Sequence, residues 1–207
     1  MGRIMLRVPF TDKEQVKRLG ARWDMSQKIW YVPEGVDPTL LKQWLPVAQE
    51  PNIRASYYFL ALSTRRCWRC ERQTLVHAII LPRGHEVLYV GDDPADDHWQ
   101  ESGEATTLSY IYDLQEPVPT RLRVLAPRYK VAYSQTIQRF YWMNHCEHCA
   151  AKLGDFATNA ELGTALHPMT RLEAAAIHLH TIRDPFAASC VSHTCDEPLF
   201  DLMQRHE

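Results

Sequence analysis

Two Cys-x-x-Cys pairs, separated by a long stretch of chain, constrain the fold of this sequence more than any other feature. The four residues are Cys67, Cys70, Cys146 and Cys149. A two-residue spacer lets the backbone turn tightly enough for both thiolates to reach one ion, and four thiolates complete a tetrahedral zinc site with no open position for chemistry. Residues 71–145 separate the pairs, a gap far longer than in a compact zinc finger. The sequence therefore predicts one structural Zn²⁺ per chain, which joins two distant segments as in a zinc ribbon with a large insertion.

Disulfide and redox roles are the alternatives for these cysteines. The first residues carry only a short apolar run, so we expect no signal peptide, and no run of about 18 apolar residues indicates a membrane span. We therefore expect a cytoplasmic chain with reduced thiols, which favours metal ligands or redox groups over disulfides. A thioredoxin-like pair would open a helix, whereas both pairs here follow aromatic, strand-like segments (Tyr57–Leu62 and Phe140–Met143). A shared zinc is preferred, and redox chemistry or unconnected core cysteines stay open.

The charged residues are segregated into blocks along the chain, although the net charge is only −2. Residues 51–91 and 121–152, which contain the two cysteine pairs, are basic, whereas residues 92–120 contain eight acidic residues and no Lys or Arg. A run of like charge is typical of a solvated loop. The alternative is a contact surface for a basic partner. Its candidate residues are Asp92, Asp93, Asp96 and Asp97.

Residues 1–46 have the pattern of a small αβ unit. Thr11 and Glu14 are spaced as a capping box that opens a helix, and Gly20 supplies the left-handed residue that ends it. Ala21–Asp24 and Ile29–Val32 then predict a β-hairpin. We expect this unit to be joined to the rest of the chain by a short linker.

This first unit resembles a short uncharacterised bacterial domain. Three blocks carry the resemblance, V-P-F, L-G-A-R-W-D and W-Y-V-P, at Val8–Phe10, Leu19–Asp24 and Trp30–Pro33. The domain is found appended to plasmid primase-like proteins, so the resemblance implies a nucleic-acid or mobile-element context and no catalytic residues. A domain of this size buries little surface, so we expect Trp23 and Trp30 to be core residues rather than base-stacking platforms.

The segment around the second cysteine pair is similar to bacterial zinc-ribbon-like proteins of unknown function. Phe140–Cys149 and Gly154–Phe156 follow their Y-W-x-N-H-C-x-x-C and G-D-F blocks, and those proteins often carry an upstream C-W-x-C, as Cys67–Cys70 does here. This chain has Ala150 where such sequences tend to have Gly. The resemblance implies that the two pairs act together, and it implies no activity.

The sequence predicts an α+β fold, with a zinc-ribbon-like antiparallel β domain after the small αβ unit. The predicted strands are Leu75–Leu81, Glu86–Val90, Leu108–Leu114, Arg121–Leu125 and Tyr129–Tyr133, with an exposed loop at Gly91–Gly103. Thr170–Ile182 predicts a helix, and Glu197–Arg205 predicts a shorter one. The expected organisation is a small αβ domain (1–46), a zinc-stapled β domain (53–156) and a helical tail packed on it (157–207).

Four histidines are weaker candidates for metal ligands. His145 and His148 flank the second cysteine pair, and a residue inside a Cys-x-x-Cys turn usually points away from the metal. His178 and His180 lie two positions apart in the predicted helix, so we expect them not to share a face.

A second metal site in the tail is an open question. Cys190, His193 and Cys195 carry ligand side chains, but their spacing is loose and a fourth ligand is missing. Cys190 with His193 also offers a nucleophile and a base, although nothing in the sequence orients the histidine. No nucleophile-elbow, Walker, Rossmann, zinc-protease or deaminase motif occurs. We therefore expect no enzymatic activity.

Two function classes remain. The preferred one is a non-catalytic zinc-binding module for protein–protein interaction, such as a bacterial immunity or antitoxin-type protein whose acidic surface binds a basic partner. The alternative is a nucleic-acid-binding accessory protein of a replication or mobile-element system, which the basic segments around both cysteine pairs favour and the acidic tail disfavours. An enzyme based on Cys190 and His193 has the least support.

Overall fold

The structure, a computed structural model, describes residues 4–25, 29–45, 50–195 and 197–206. The chain divides into two compact units: Met1–Ala48 with Ala132–Phe140, and Gln49–Val131 with Tyr141–Glu207. The predicted boundary at residue 46 lies outside the described residues, and independent folding of residues 1–46 stays a prediction. Within the described part of the chain, no helix has the length and apolar character needed to cross a membrane.

The smaller unit is a three-stranded antiparallel sheet with short helices. Its elements are β1 (Ile4–Leu6), a 3-10 helix (Phe10–Asp12), α1 (Lys13–Arg18), β2 (Arg22–Asp24), β3 (Ile29–Val32) and a second 3-10 helix (Pro38–Trp44). β3 lies between β1 and β2, so the predicted hairpin is confirmed. Gly20, with a φ of 94°, follows α1 as predicted, because this left-handed conformation favours glycine.

The predicted capping box at Thr11 is wrong. The Thr11 hydroxyl donates a hydrogen bond to the adjacent carboxylate of Asp12 (2.8 Å) and does not cap the helix, which begins at Lys13. Short polar side chains such as these compete for local hydrogen bonds, and here the nearer acceptor is favoured.

Trp23 is not a core residue, contrary to the prediction. It lies on β2, an edge strand, is 42% exposed, and contacts the ring of Trp30 edge-on with 5.6 Å between centroids. The buried tryptophan of this unit is Trp44, whose indole N–H donates to Asp12 (2.9 Å). Trp44 packs with Leu41 and Val16, and this cluster is the core of the small unit.

The larger unit contains most of a mainly antiparallel sheet, with twelve strands among the described residues. Its elements are β4 (Ile53–Ala55), β5 (Tyr58–Arg66), β6 (Gln73–Leu81), β7 (Glu86–Tyr89), β8 (His98–Glu101), β9 (Thr106–Leu114), α2 (Val118–Leu125), β10 (Tyr129–Ser134), β11 (Arg139–His145), β12 (Lys152–Leu153), α3 (Arg171–Ala175), β13 (His178–Ile182), β14 (Phe186–Thr194), α4 (Glu197–Phe200) and β15 (Gln204–His206). The main path runs β15-β13-β5-β6-β9-β14-β4-β7-β8, and β11 joins it through β9. The ends of β10 and β11 that lie within Ala132–Phe140 are grouped with the smaller unit.

Both faces of the central strands are buried. Along β5, Tyr58 and Leu60 belong to one apolar cluster, whereas Phe59 and Ala61 belong to a second one. Successive side chains of a strand point to opposite faces, so the two clusters lie on the two faces of the sheet. This explains why β5 and β6 appear in the sequence as nearly continuous apolar runs.

The predicted helical tail is wrong in most of its length. The helix begins after Thr170, which forms a capping box with Glu173, but it ends at Ala175. Beyond it, β13 pairs antiparallel with β5, and burial alternates along the chain from Ile177 to His180 as a strand requires. Pairing with a distant strand thus overrides the apolar stripe that predicted a longer helix. The second tail helix is limited to α4, and β15 follows it.

Two further elements differ from the prediction. Arg121–Leu125 lies in α2, not in a strand, because Val118 and Leu122 are buried at helical spacing and Pro119 occupies the first turn. The predicted loop Gly91–Gly103 contains β8, which pairs with β7. The other four predicted strands are present as β6, β7, β9 and β10.

Candidate metal centre

Each cysteine pair forms the turn of a β-hairpin. Cys67 follows the last residue of β5, and β6 begins three residues after Cys70. Cys146 follows the last residue of β11, and β12 begins three residues after Cys149. We call these turns the first knuckle (67–72) and the second knuckle (146–151).

The two knuckles have the same backbone conformation. In the first, the amide of Cys67 donates to Arg72 and the amide of Glu71 donates to Cys67, both at 2.9 Å. In the second, Cys146 and Ala150 make the equivalent bonds, with Ala151 as the acceptor for Cys146, again at 2.9 Å. The shared hydrogen bonds direct both sulfurs of each knuckle to one side.

The four sulfur atoms converge from the two hairpins. The Sγ atoms of Cys67 and Cys149 are 3.7 Å apart, those of Cys70 and Cys146 are 3.6 Å apart, and all four lie within 4.8 Å of one another. Zinc–sulfur bonds of about 2.3 Å in a tetrahedron place the sulfurs about 3.8 Å apart. The set therefore fits a tetrahedral Zn²⁺. No other set of three or more His, Cys, Asp or Glu side chains converges this closely in the described part of the chain.

The surroundings favour the thiolate form of one of these cysteines. Burial opposes ionisation of Cys146, but hydrogen bonds from the backbone amides of Cys149 and His148 and from neighbouring thiols lower its pKa to about 6. The pKa of Cys70 is also lowered, chiefly by a hydrogen bond from the amide of Arg72. The hydrogen bond from the amide of Ala151 lowers the pKa of Cys149, but burial and hydrogen bonds with the other three thiols outweigh it and raise this pKa to about 11. Metal ligands must be thiolates, so the backbone amides favour the ligand form of Cys146 and Cys70, whereas Cys149 loses its proton when a cation binds.

Side chains link the knuckles to each other in a nearly reciprocal way. The indole N–H of Trp68, in the first knuckle, donates to the carbonyl of Lys152 (2.9 Å). Nε2 of His148, in the second, lies 2.8 Å from the carbonyl of Gln73. Each acceptor is six residues beyond the first cysteine of its own knuckle. The two turns are therefore held together by the protein as well as by the sulfur cluster.

Glu147 and Asn144 extend this linkage away from the sulfurs. A carboxylate oxygen of Glu147 accepts from the amide of Leu75 (3.0 Å), and the Glu147 amide donates to the Thr74 hydroxyl (3.0 Å). The buried amide of Asn144 both donates to the carbonyl of His77 and accepts from its amide, each at 2.8 Å. Sequence reasoning missed these residues, although their position beside the second cysteine pair is the signal that would find them.

Neither flanking histidine joins the sulfur cluster, as the sequence indicates. His148 is engaged with Gln73, as described above. The ring of His145 is buried, with Nδ1 within 3.2 Å of the carbonyls of Met143 and Arg128, and burial lowers its pKa to about 4.

The structure does not bring Cys190 and Cys195 together. A strand rises about 3.3 Å per residue, so five residues place them roughly 16 Å apart, and each lies in a different apolar cluster. Burial raises the pKa of Cys190 to about 12 and that of Cys195 in the same direction. The side chain of His193 lies outside the described residues. A second metal shared by these two cysteines is therefore not supported.

The candidate contact residues of the acidic loop differ in what they do. Asp97 accepts from the amide of Gly91 (3.0 Å) and Asp93 accepts from the amide of Ala95 (2.9 Å), so these two carboxylates stabilise the loop itself. Asp92 and Asp96 are exposed, and their carboxylates take part in no hydrogen bond in the part of the chain that the structure describes, although Nδ1 of His98 lies 2.8 Å from the backbone carbonyl of Asp96. Of the four candidate residues, these two therefore have carboxylates available to contact a partner.

Comparison with known proteins identifies relatives for only a small part of the chain. Residues 3–46 match a family described as a domain of unknown function (DUF5710). Two proteins from Escherichia coli, both named DNA primase TraC, are similar: one is 37% identical over 78 residues and the other 46% identical over 39 residues. The matches cover 29% and 19% of this chain but only 7% and 3% of the relatives. No solved structure matches. The predicted resemblance to a primase-associated domain is therefore confirmed for the N-terminal segment.

Proposed function

We propose that this protein is a non-catalytic accessory protein of a DNA replication or mobile-element system, in which a structural zinc positions a surface for single-stranded nucleic acid. The surface, which we call the knuckle surface, consists of Arg66, Trp68, Arg69 and Arg72. The context is suggested by the similarity to proteins named DNA primase TraC. The observation that carries the proposal is that the Trp68 ring is exposed to solvent while a hydrogen bond restricts its orientation.

Trp68 is a large apolar side chain held in place at the protein surface. Its residue is 67% exposed, yet its indole N–H is fixed by the hydrogen bond to the carbonyl of Lys152 (2.9 Å). This bond limits the rotation of the ring while leaving it open to solvent. An exposed and oriented aromatic ring is what stacking of an unpaired base requires, since stacking gains about 1–3 kcal/mol per base.

The arginines of the first knuckle are not equivalent. Arg69 and Arg72 are exposed, and their guanidinium groups have no hydrogen-bond partner within the described residues. Arg66 is partly neutralised by Glu71, at 2.8 Å from its carbonyl and 3.3 Å from its carboxylate. Arg65 lies outside the knuckle surface because it donates to the backbone of Ala157 and the hydroxyl of Thr158. Arg69 and Arg72 are therefore the phosphate-binding candidates.

A purely structural role for this positive charge is the competing explanation. A zinc ion with four thiolates keeps a net negative charge, and nearby guanidinium groups offset it. Under that explanation the arginines support metal retention and do not bind nucleic acid. The two roles are separated by measuring zinc content and nucleic-acid affinity on the same variants.

Fluorescence anisotropy with a labelled single-stranded oligonucleotide tests the proposal. The double variant Arg69→Gln/Arg72→Gln is expected to bind more weakly, with zinc content unchanged. Its salt slope is expected to fall by about 0.7 for each phosphate that the protein no longer neutralises. Trp68→Ala is expected to lose about 1–3 kcal/mol of binding free energy, whereas Trp68→Phe retains part of it.

Arg171→Gln is the matched control, because it removes one exposed positive charge on α3 and is expected to leave binding unchanged. Wild-type protein that binds the oligonucleotide no better than the double variant at low salt would overturn the proposal. Loss of zinc from the double variant would favour the structural role.

A protein partner is the second candidate function, and the β7–β8 hairpin favours it. Arg54 makes a bidentate contact with Glu86 (2.7 and 2.9 Å) and stacks on Trp99 with 4.2 Å from its guanidinium carbon to the ring centroid. These contacts stabilise the hairpin whose connecting loop contains Asp92 and Asp96. A stabilised hairpin with acidic residues at its tip is complementary in charge to a basic protein, such as the toxin bound by an immunity or antitoxin-type protein. Crosslinking with basic proteins encoded beside the gene tests this, and the crosslinked sites are expected at the tip.

A further inference from the structure

Three histidines lie together at one edge of the large sheet, apart from the cysteine centre. His178 and His180 belong to β13, and His206 belongs to the edge strand β15. The sequence predicts a helix over residues 170–182, in which positions two apart point in different directions. In the observed strand, positions two apart lie on the same face. The expectation that His178 and His180 do not share a face is therefore wrong.

The third histidine is brought to this face by the pairing of β15 with β13. The two strands are parallel, with His206 opposite His180 and Gln204 opposite His178. Gln204 holds this register, because its backbone amide donates to Ile177 (2.9 Å) and its side-chain amide donates to Ala175 (2.6 Å). The position of the His206 ring thus follows from well-anchored backbone.

The ring of His206 stacks against both other imidazoles. Its centroid is 5.1 Å from that of His178 and 5.0 Å from that of His180, with interplanar angles of 24° and 23°. Nδ1 of His178 and Nε2 of His206 are 2.9 Å apart. One of these nitrogens carries a proton and the other presents its lone pair. Two nitrogen ligands that subtend about 90° at a metal, with bonds of about 2.0–2.1 Å, are also about 2.9 Å apart. Two nitrogen ligands of a tetrahedral ion are about 3.4 Å apart.

We propose that His178, His180 and His206 form a second metal site, for a divalent transition metal of the Ni²⁺ or Cu²⁺ type. These ions favour imidazole nitrogen and tetragonal geometry. Nδ1 of His178 and Nε2 of His206 supply two adjacent ligands. The proton between them moves, by exchange with solvent, to the other nitrogen of the same ring when the metal binds, so both imidazoles stay neutral. His180 supplies a third nitrogen after rotation of its side chain, and water completes the coordination.

The surroundings of the three rings are compatible with a cation. His180 and His206 are exposed, so an ion reaches them directly. Arg205, the nearest cationic residue in sequence, is directed to Asp201 (3.3 Å) and to the ring of Phe200, 5.1 Å from its centroid.

Titration of untagged, zinc-loaded full-length protein with Ni²⁺ alone tests this site by isothermal calorimetry. The expected result is one Ni²⁺ bound per chain with no release of zinc, measured in the same sample by a chromogenic chelator. His178→Ala and His206→Ala are each expected to weaken Ni²⁺ binding at least tenfold, and His180→Ala severalfold. His98→Ala, which removes an exposed histidine of β8, is the matched control and is expected to change nothing.

Three outcomes would overturn the proposal. One is the absence of Ni²⁺ binding by the wild-type chain, and another is equal binding by the His178→Ala/His206→Ala double variant. The third is release of zinc in step with Ni²⁺ uptake, which would place the nickel at the cysteines. His206→Gln keeps a polar side chain of similar size on β15, so its loss of binding with an unchanged melting temperature separates ligand loss from loss of the strand.

Discussion

Glu71 and Ala150 occupy the same position in the two knuckles, four residues after the first cysteine, and both have left-handed backbone conformations. Their φ angles are 58° and 56°. For a residue with a side chain this conformation costs about 1–2 kcal/mol, and glycine avoids that cost. Glycine would avoid this strain at either position, and this chain tolerates it at both knuckles.

Replacing Ala150 by Gly is therefore expected to stabilise the folded protein. The gain is about 1 kcal/mol, because relief of the left-handed strain exceeds the entropy cost of glycine in the unfolded chain. Urea unfolding at saturating zinc measures it. Ala151→Gly, at the neighbouring buried residue without a positive φ, serves as the control and is expected to destabilise by about 0.5–1 kcal/mol. Equal destabilisation by both variants would contradict the account of the knuckle.

The two tryptophans of the smaller unit are expected to differ in their contribution to stability. Trp44→Ala removes a buried ring and leaves the Asp12 carboxylate without its indole partner, so a loss of about 3–5 kcal/mol is expected. Trp23→Ala removes a half-exposed ring, and a loss of about 1 kcal/mol or less is expected. Thermal or urea unfolding of both variants checks the order. A larger loss for Trp23→Ala would show that Trp23 is a core residue after all.

The buried carboxyl of Asp155 is expected to make the free energy of unfolding fall as the pH rises. Burial raises its pKa from 3.8 to about 7, although the amide of Tyr110 donates to it (2.7 Å) and acts in the opposite direction. The folded state thus binds the proton more tightly than the unfolded state. Its contribution is fully present below about pH 4, declines as the pH rises, and is lost above about pH 7.

The variant Asp155→Asn isolates this contribution, because its side-chain oxygen still accepts from Tyr110 while it cannot titrate. The wild type is expected to lose stability relative to the variant as the pH rises from about 5 to about 7, and no further above that, measured by urea unfolding at saturating zinc. Titration of the cysteines affects both proteins equally and cancels in the difference. A difference that is constant with pH, or that changes in the opposite direction, would disprove the buried protonated carboxyl.

The acidic loop is expected to discriminate between the two candidate partners. Asp92→Asn/Asp96→Asn should leave stability within about 0.5 kcal/mol, because both side chains are exposed. Affinity for single-stranded nucleic acid is expected to rise modestly at low salt, since repulsion is removed, whereas association with a basic protein partner would slow. Fluorescence anisotropy measures the change in nucleic-acid affinity, and stopped-flow mixing measures the change in the rate of association with the protein partner. Asp93 and Asp97 are left intact because they hydrogen-bond the loop backbone.

The cysteine pairs and the strands between them could be predicted because their signals are local. A two-residue spacer fixes the geometry of each knuckle, and the apolar run Leu75–Leu81 is bounded by clear turn residues. The assignment of residues 177–182 failed because the stripe of Leu172 and Ala175 is compatible with a helix, and only pairing with β5, more than a hundred residues earlier, selects the strand. The same long-range pairing brings His206 to His178, which no local spacing predicts.

The prediction that Trp23 is buried failed for a different reason. Its size predicts burial, yet its exposure depends on β2 being an edge strand, and strand order is a property of the whole sheet. The cross-links of Asn144 and Glu147 were missed for a related reason. Their partners on β6 are known only once the two hairpins are placed side by side.

Zinc K-edge X-ray absorption, on untagged protein purified without added metal, tests the central proposal of a four-cysteine zinc centre most directly. We expect about one zinc per chain and a shell of four sulfur atoms at about 2.3 Å, with Cys146→Ser losing both the signal and much of the stability because metal binding is coupled to folding. Less than about half an equivalent of zinc, or a shell dominated by nitrogen and oxygen, would contradict it.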